Sequence, residues 1–366
     1  MADGDLISSI STYELLPLLD SNERPFLLDV REEDEVAEWT IPGVYNIPLG
    51  ALEARLDEVP SGARVVTICT MGARAQQGAE LLARHGRPSE VLDGGMNAWA
   101  STYDSVEGQF GGATVVQLRR RGKGCLSYVI GAGVECVVID PSLEIDQYRR
   151  AADRHKWTIT HVLDTHLHAD HLSGARDLVA ATGAALWLNP ADHFTFDFEP
   201  LRDGRSIPLA PGVALSISAV SVPGHTEGST MYQLGNGAIF TGDTIFLESV
   251  GRPDLADQVE PYAHSLYRSI HERVLPLRDD IVVFPAHYGA SVEVHYGHFV
   301  ARSLGALRST LPALSLSEAD FVAWAIANVK DRPPNYQHIV RINAGTEQRS
   351  DEATTLELGP NRCAVA

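Results

Sequence analysis

The sequence predicts a two-domain α/β protein, and three observations carry that prediction. Its 366 residues exceed what one hydrophobic core usually serves. Near the front, the apolar run Arg64-Val65-Val66-Thr67-Ile68 stops at Cys69 and passes through a short loop into a helical stretch, Ala75–His85. Further on, several apolar runs end in loops that carry histidine or aspartate, the pattern expected when α/β sheets place their chemistry at strand ends.

In chain order, the first element is the strand Leu27-Leu28-Asp29-Val30-Arg31, followed by Ile41-Pro42-Gly43 and Asn46-Ile47-Pro48. The loop Cys69-Thr70-Met71-Gly72-Ala73-Arg74 then sets a thiol between a strand and a helix start. There it meets backbone N–H groups and the positive end of the helix dipole, which favour a thiolate nucleophile. Gly72 lets the backbone close around the sulfur, and Arg74 can stabilise a bound anion. A lone cysteine would read as a buried thiol, and it is the surrounding loop that favours catalysis. Leu92-Asp93-Gly94-Gly95-Met96-Asn97-Ala98-Trp99 closes the segment. Together these motifs resemble a single rhodanese domain over residues 5–103, so a sulfurtransferase domain is expected over 1–103. The resemblance implies catalytic roles for Cys69, Gly72 and Arg74. Arg74 follows Cys69 by five positions, the short loop of sulfurtransferases, whereas phosphatase relatives have one residue more. Two departures stand out. Trp39-Thr40 replaces the usual Gly-His and is expected to alter a surface turn, while Thr70, where arginine is frequent, is expected to shift the sulfur donor or acceptor.

Residues 104–112, within the polar, Gly-rich stretch Ser101–Gly112, read as a linker, and a second domain is expected over 113–366. Its first signal is the run Ile159-Thr160-His161-Val162-Leu163, a buried strand, followed by His166-Leu167-His168-Ala169-Asp170-His171. Three imidazoles and a carboxylate within six residues mark a metal or catalytic site. Val222-Pro223-Gly224-His225-Thr226 adds a histidine on a turn. Ile239-Phe240-Thr241-Gly242-Asp243 ends a strand on an aspartate, and Ile281–Phe284 leads through Pro285-Ala286 to His287. Isolated histidines such as His193 and His264 read as ordinary surface or core residues, but the four segments in this order make a strong metal signal. The order HxHxDH, His, Asp, His resembles the metallo-β-lactamase fold from about Ala113 to the C-terminus. It implies an αββα sandwich with the metal at the strand ends.

Seven side chains could serve as ligands: His166, His168, Asp170, His171, His225, Asp243 and His287. They suffice for a two-metal site bridged by Asp243, the arrangement of glyoxalase II hydrolases, which would generate a hydroxide for thioester hydrolysis. A subset, His166, His225 and Asp243, forms the two-histidine, one-carboxylate face of non-haem Fe(II) oxygenases. The donor inventory fits both. The core HLHADH and the segment Val250-Gly251-Arg252-Pro253-Asp254 are similar to persulfide dioxygenases (sulfur dioxygenases), and Ser229 follows Gly228 where glyoxalase II enzymes commonly have a histidine. That resemblance implies one Fe(II) per chain on His166, His225 and Asp243, with His168, Asp170, His171 and His287 behind them or forming a second metal site. Arg252 and Asp254 are expected to shape the substrate pocket or to form a structural ion pair. The competing reading is a two-zinc thioester hydrolase acting on hydroxyacylglutathione, with a regulatory rhodanese module.

A formal charge of −19 argues against nucleic acid or anionic membrane as partner. The N-terminus lacks a secretory pattern and no apolar stretch reaches membrane-span length. Four cysteines, Cys69, Cys125, Cys136 and Cys363, show neither a disulfide framework nor a CxxC pattern, so a reduced cytoplasm is expected. Cys125 and Cys136 read as buried thiols and Cys363 as incidental. Helices are expected over Phe299–Leu307 and Glu318–Val329, the second stopped by Asp331-Arg332-Pro333-Pro334, with a peripheral C-terminal tail. Asn335–Asn343 resembles the closing segment of rhodanese-linked β-lactamase-fold proteins. The whole reads as a sulfide-metabolism fusion. Its expected partners are a small-molecule persulfide such as glutathione persulfide, O2, and sulfite or thiosulfate, and a homo-oligomer is allowed.

Overall fold

The structure is a computed structural model that describes residues 6–210, 216–255, 258–289, 291–329, 332 and 335–365. The chain divides into two compact units. The first takes the described residues up to Asp104, with Arg120–Lys123 and Leu358–Pro360. Its sheet runs in the order β1 (Ile7–Ile10), β5 (Ser89–Leu92), β4 (Val65–Ile68), β2 (Phe26–Asp29), β3 (Tyr45–Asn46), all parallel. The central β4 is buried along its length, as expected of a parallel strand covered on both faces. Successive side chains point to opposite faces. Val65 packs with Ala75, Ala79 and Leu82 of helix α3 (Ala73–Arg84). Val66 and Ile68 pack with Leu15 and Leu16 of α1 (Thr12–Leu18) and with Met96 and Trp99 of α4 (Gly95–Ala100). A further short helix, α2 (Glu33–Glu38), follows β2. The buried Arg31 donates through Nε and Nη2 to Asp29 and through Nη2 to the carbonyl of Trp39. This is the role of the Asp-Val-Arg strand, and it fixes the turn that the Trp39-Thr40 departure occupies.

The second unit holds two sheets. One has seven strands in the order β12 (Glu199–Pro200), β11 (Ala185–Leu188), β10 (Thr158–Leu163), β9 (Glu135–Ile139), β8 (Cys125–Ala132), β7 (Ala113–Arg120), β6 (Tyr103–Phe110). The other has six: β13 (Ser206–Pro208), β14 (Ser216–Ser221), β15 (Thr230–Leu234), β16 (Ala238–Gly242), β17 (Val282–Pro285), β18 (Arg302–Ser303). The alternation along β8 and β9 shows how the layers form. Leu126, Tyr128, Ile130, Val137 and Ile139 face the second sheet, meeting Phe240, Val283 and Phe284. Val129, Cys136 and Val138 face outward onto α5 (Asp146–His155) and α6 (Ala175–Thr182). On the far side, α7 (Val259–Arg268), α8 (Leu304–Thr310) and α9 (Glu318–Ala327) cover the second sheet through Leu266, Leu307 and Phe321. The last helix, α10 (Tyr336–Ala344), packs Ile339 and Ile342 onto Leu172. The result is the αββα sandwich that the sequence implies.

Three expectations need correction. Residues 104–112 are not a free linker, because most of them form the edge strand β6. Val106, Gly108 and Phe110 alternate there with polar residues, and the missing side chain at Gly108 hides the period. A Cβ at Gly108 would stand 2.9 Å from the Phe299 ring, while Phe110 meets Phe284 and Phe299 edge-on at 5.0 and 5.1 Å. The helix expected over Phe299–Leu307 begins only at Leu304, because Arg302–Ser303 pairs with β17 and Ser303 caps the helix through Ala306 N. The tail is not peripheral: Cys363 and Val365 are buried, and Val365 joins the main core. Of the stop after α9, Asp331, Pro333 and Pro334 lie outside the described residues.

Candidate metal centre

The loop that follows β10, from Asp164 to Gly174, carries the histidine cluster, and polar groups from other elements hold its backbone. Asp140, at the end of β9, accepts from Thr165 N (2.7 Å) and Thr165 Oγ1 (3.0 Å). Tyr232 on β15 donates its hydroxyl to the Asp164 carbonyl at 2.7 Å. Asn343 on α10 donates to the carbonyls of His168 (2.9 Å) and His171 (2.8 Å), and Glu357 accepts from Leu172 N at 2.7 Å. Asp192 accepts from Leu167 N and Gly228 N, joining this loop to the turn that carries His225. A buried loop needs each of these partners, since an unmatched buried peptide group is costly.

On this frame His166, His225 and Asp243 come together, all buried, with ligand atoms within 4.8 Å of one another. Asp243 Oδ2 lies 3.6 Å from His166 Nε2 and 3.3 Å from His225 Nε2. The outer hydrogen bonds decide the tautomers. A carbonyl only accepts, so the 2.9 Å contact of His225 Nδ1 with the Arg252 carbonyl makes Nδ1 the protonated atom. Thr165 Oγ1 gives its one hydrogen to Asp140, so it accepts from His166 Nδ1 at 2.9 Å. Both Nε2 lone pairs therefore turn inward, the usual arrangement of ligating imidazoles. Burial lowers the pKa of both rings, keeping them neutral near pH 7. Burial opposes ionisation of Asp243, but the charge of His287 and its hydrogen bond outweigh it and hold the carboxyl below its ordinary range. His166 Nε2, His225 Nε2 and Asp243 Oδ2 are buried without a hydrogen-bond partner. Each unmade bond costs about 1–3 kcal/mol, and a cation at their common focus satisfies all three. These residues fit a metal.

The other four predicted residues separate. His168 Nε2 meets Asp140 Oδ1 at 3.1 Å and groups with Asp140 and Asp164, while its ring lies 4.2 Å from that of His166. Asp170, His171 and His287 form a cluster with Cys125, and His287 also groups with Asp243 and Cys363. His287 Nδ1 contacts Asp243 Oδ1 at 2.7 Å and so ties the two groups together. Arg252 and Asp254 form a buried two-pronged ion pair at 2.6 and 2.8 Å. The part of Arg252 that touches the metal cluster is its carbonyl, which orients His225. Sequence reasoning missed the two thiols. A single cysteine has no spacing to read, so neither Cys125 nor Cys363 carries a local sign of its place at the cluster. Cys363 arrives because the tail pairs with the Val250–Arg252 strip: Arg252 N donates to the Cys363 carbonyl (3.0 Å) and Val365 N to the Val250 carbonyl (2.9 Å).

In the first unit, Cys69 ends β4 and is buried. Gly72, at φ 112°, caps α3 and donates its N–H to Cys69 Sγ at 3.1 Å. Gly95 permits α4 to press on this loop, because a Cβ there would stand 2.1 Å from the Cys69 carbonyl. Arg74 grips Glu35 through both nitrogens at 2.6 and 2.7 Å and donates to Thr70 Oγ1 at 2.9 Å. The Arg74 hydrogen bond holds the Glu35 carboxyl down at about 2. Thr70, the departure noted in the sequence, is therefore the third member of a clasp at the loop mouth.

A two-sheet sandwich flanked by helices, with histidines and an aspartate converging at its strand ends, defines a class. The chain carries a metallo-β-lactamase superfamily domain, matched over residues 120–287, and a rhodanese-like domain, matched over residues 11–102. Among its relatives is an uncharacterised Mycobacterium tuberculosis protein, 31% identical over 44% of this chain and 85% of that protein. The human mitochondrial persulfide dioxygenase ETHE1 is 29% identical over 51% of this chain and 70% of its own length. A hydroxyacylglutathione hydrolase of Methylobacillus flagellatus is 32% identical over 43% of this chain and 64% of its own. Among solved structures, that of ETHE1 from Myxococcus xanthus superposes with a TM-score of 0.57 at 26% identity, over 63% of this chain and 98% of that one.

Proposed function

We propose that the second unit is an Fe(II)-dependent persulfide dioxygenase and the first a sulfurtransferase acting through Cys69. The observation that carries the reading is the convergence of two inward Nε2 lone pairs and one carboxylate oxygen, all buried and unsatisfied. Such a facial donor set leaves coordination positions open and is the hallmark of non-haem iron oxygenases. The ETHE1 relatives support the same assignment. Iron bound there would offer its open positions to dioxygen and to a soft persulfide sulfur. The balanced reaction is RSSH + O2 + H2O → RSH + sulfite + two protons.

The chain's own residues do the rest. His166 and His225 are held in one tautomer by Thr165 and by the Arg252 carbonyl, so they donate lone pairs without rearranging. His287, bonded to Asp243 Oδ1, keeps Oδ2 turned toward the two rings. In the first unit, Cys69 would carry sulfane sulfur as Cys–S–S⁻, its inner sulfur held by Gly72 N–H. Sulfite attack on the outer sulfur would break the S–S bond, return the thiolate and release thiosulfate. The acceptor is sulfite, the product of the neighbouring unit's reaction, so fusion raises its local concentration. The carrier thiol is proposed to be glutathione.

Seven buried donors and the hydroxyacylglutathione hydrolase relative favour one competing reading, a two-zinc thioester hydrolase. The test is anaerobic iron loading followed by oxygen-electrode measurement with glutathione persulfide. Oxygen uptake with sulfite release is expected. Zinc-dependent thioester hydrolysis with no oxygen uptake would overturn the proposal.

A further inference from the structure

The loop from Cys69 to Arg74 carries one cationic side chain, Arg74. A sulfur oxyanion that meets Cys69 presents negatively charged oxygens, which a planar guanidinium fits in two-pronged fashion. That guanidinium is already taken. Nη1 and Nη2 donate to Glu35 Oε2 and Oε1 at 2.6 and 2.7 Å, and Nη2 also donates to Thr70 Oγ1 at 2.9 Å. We propose that Glu35 is a specificity-determining residue of the sulfurtransferase unit. It occupies the anion-binding arginine, so thiosulfate or sulfite engages Arg74 only by displacing that carboxylate. The inference rests on the sulfurtransferase part of the proposed function.

The surroundings make the carboxylate a replaceable occupant. Glu35 and Arg74 are each 35% exposed, so a solute anion reaches the pair from outside. Arg31 is the contrast: 4% exposed, it is locked between Asp29 and the Trp39 carbonyl. The short helix α2 buries no side chain, so Glu35 can shift without opening the core. Thr70 holds the guanidinium in place when Glu35 leaves, because its hydroxyl oxygen still accepts from Nη2. Its hydroxyl hydrogen, which points at Glu35 Oε1 at 3.2 Å, then turns to an oxygen of the incoming anion. The hydrogen bond to Glu35, and after it the charge of Cys69, raise the Arg74 pKa against partial burial. The guanidinium therefore lies within electrostatic reach of the sulfur.

The transfer step shows what the clasp discriminates. The Cys69 thiolate attacks the outer sulfur of thiosulfate and a new S–S bond forms on Sγ. The S–S bond of thiosulfate breaks, and sulfite leaves with the electron pair. The total charge is the same before and after. A carboxylate on Arg74 opposes the dianion by repulsion and by competition, while an uncharged reagent is indifferent to it. An ion pair at this exposure is weak enough for a dianion to replace.

The test alkylates the full chain with iodoacetate, an anion, and with iodoacetamide, its uncharged analogue, and follows Cys69 by peptide mass spectrometry. Glu35→Gln is expected to raise the iodoacetate-to-iodoacetamide rate ratio roughly three- to fivefold, the weight of an exposed ion pair. Glu33→Gln removes the same charge from an exposed position on α2 and should leave the ratio near the wild-type value. In steady-state transfer from thiosulfate to hydrogen cyanide, Glu35→Gln should lower KM for thiosulfate with kcat retained. A purely structural role would raise KM or lower kcat. The proposal is overturned by an unchanged or lower ratio in Glu35→Gln, by an equal rise in Glu33→Gln, or by a higher KM for thiosulfate. Failure of the sulfurtransferase reading looks different: the ratio shifts as stated, yet no chain transfers sulfur.

Discussion

In the proposed function Cys69 and Asp243 divide the chemistry between them, and single substitutions should separate it. Cys69→Ser removes the only nucleophile of the loop, so thiosulfate-linked transfer should vanish in a sulfurtransferase assay while oxygen uptake persists. Asp243→Ala removes the shared carboxylate, and metal analysis should show loss of iron together with oxygen uptake, with transfer retained. Glu35 gives a pH prediction. Its carboxyl falls from 4.5 to about 2 in the folded chain because Arg74 donates to it. The unfolded chain therefore binds the extra proton first. Its contribution is fully present above pH 4.5 and is lost as the pH falls through about 2. Both side chains of the clasp are 35% exposed, so solvent screening keeps the effect small. Glu35→Gln should flatten the acid side of the thermal-unfolding profile in that window, and an unchanged profile would refute the clasp. At this scale the sequence was informative where residue types cluster. Four of the seven predicted donors sit in one six-residue motif. Cys125 and Cys363 were illegible because their partners lie far away in the chain.

The elements act through backbone anchorage. Asn343 on α10 satisfies two carbonyls of the histidine loop. Asn343→Ala leaves both unmet in a buried place, at about 1–3 kcal/mol each, and a roughly 10–100-fold loss of metal affinity is expected of a ligand-orienting group. A metal-competition titration measures it. Gly251 lets the Val250–Arg252 strip pass over the centre, since a Cβ there would stand 1.8 Å from the Asp243 carbonyl and 3.3 Å from His225 Cβ. Gly251→Ala should cost about 1–3 kcal/mol of stability, read as a lower unfolding midpoint. Strands were the most legible elements, because apolar runs such as Ile159–Leu163 and Ile281–Phe284 coincide with buried β10 and β17. The strand β6 is illegible in the sequence because Gly108 interrupts its alternation. Helical periodicity over Phe299–Leu307 runs past the true helix start at Leu304, because β18 claims Arg302–Ser303 by pairing.

For the whole molecule, no helix among the described residues is long and apolar enough to cross a membrane. The C-terminal residues close the second unit rather than trail from it. A chain ending at Pro360 loses Val365 from the core, worth about 1.5–3 kcal/mol by burial, and loses the bonds that hold the Arg252 carbonyl strip. Calorimetry should show a lower midpoint, and iron affinity should fall with it. The sequence alone determined the two-domain order, the α/β class, the Cys69 loop and the seven-donor inventory. These are local facts, written in spacing, alternation and turn chemistry. Only the tertiary structure decided which donors share a focus and which imidazole nitrogens face inward. It alone brought Cys125 and Cys363 to the histidines. Those choices depend on pairing between segments more than a hundred residues apart, as between Cys125 and His287, and no local pattern encodes a distance across two sheets.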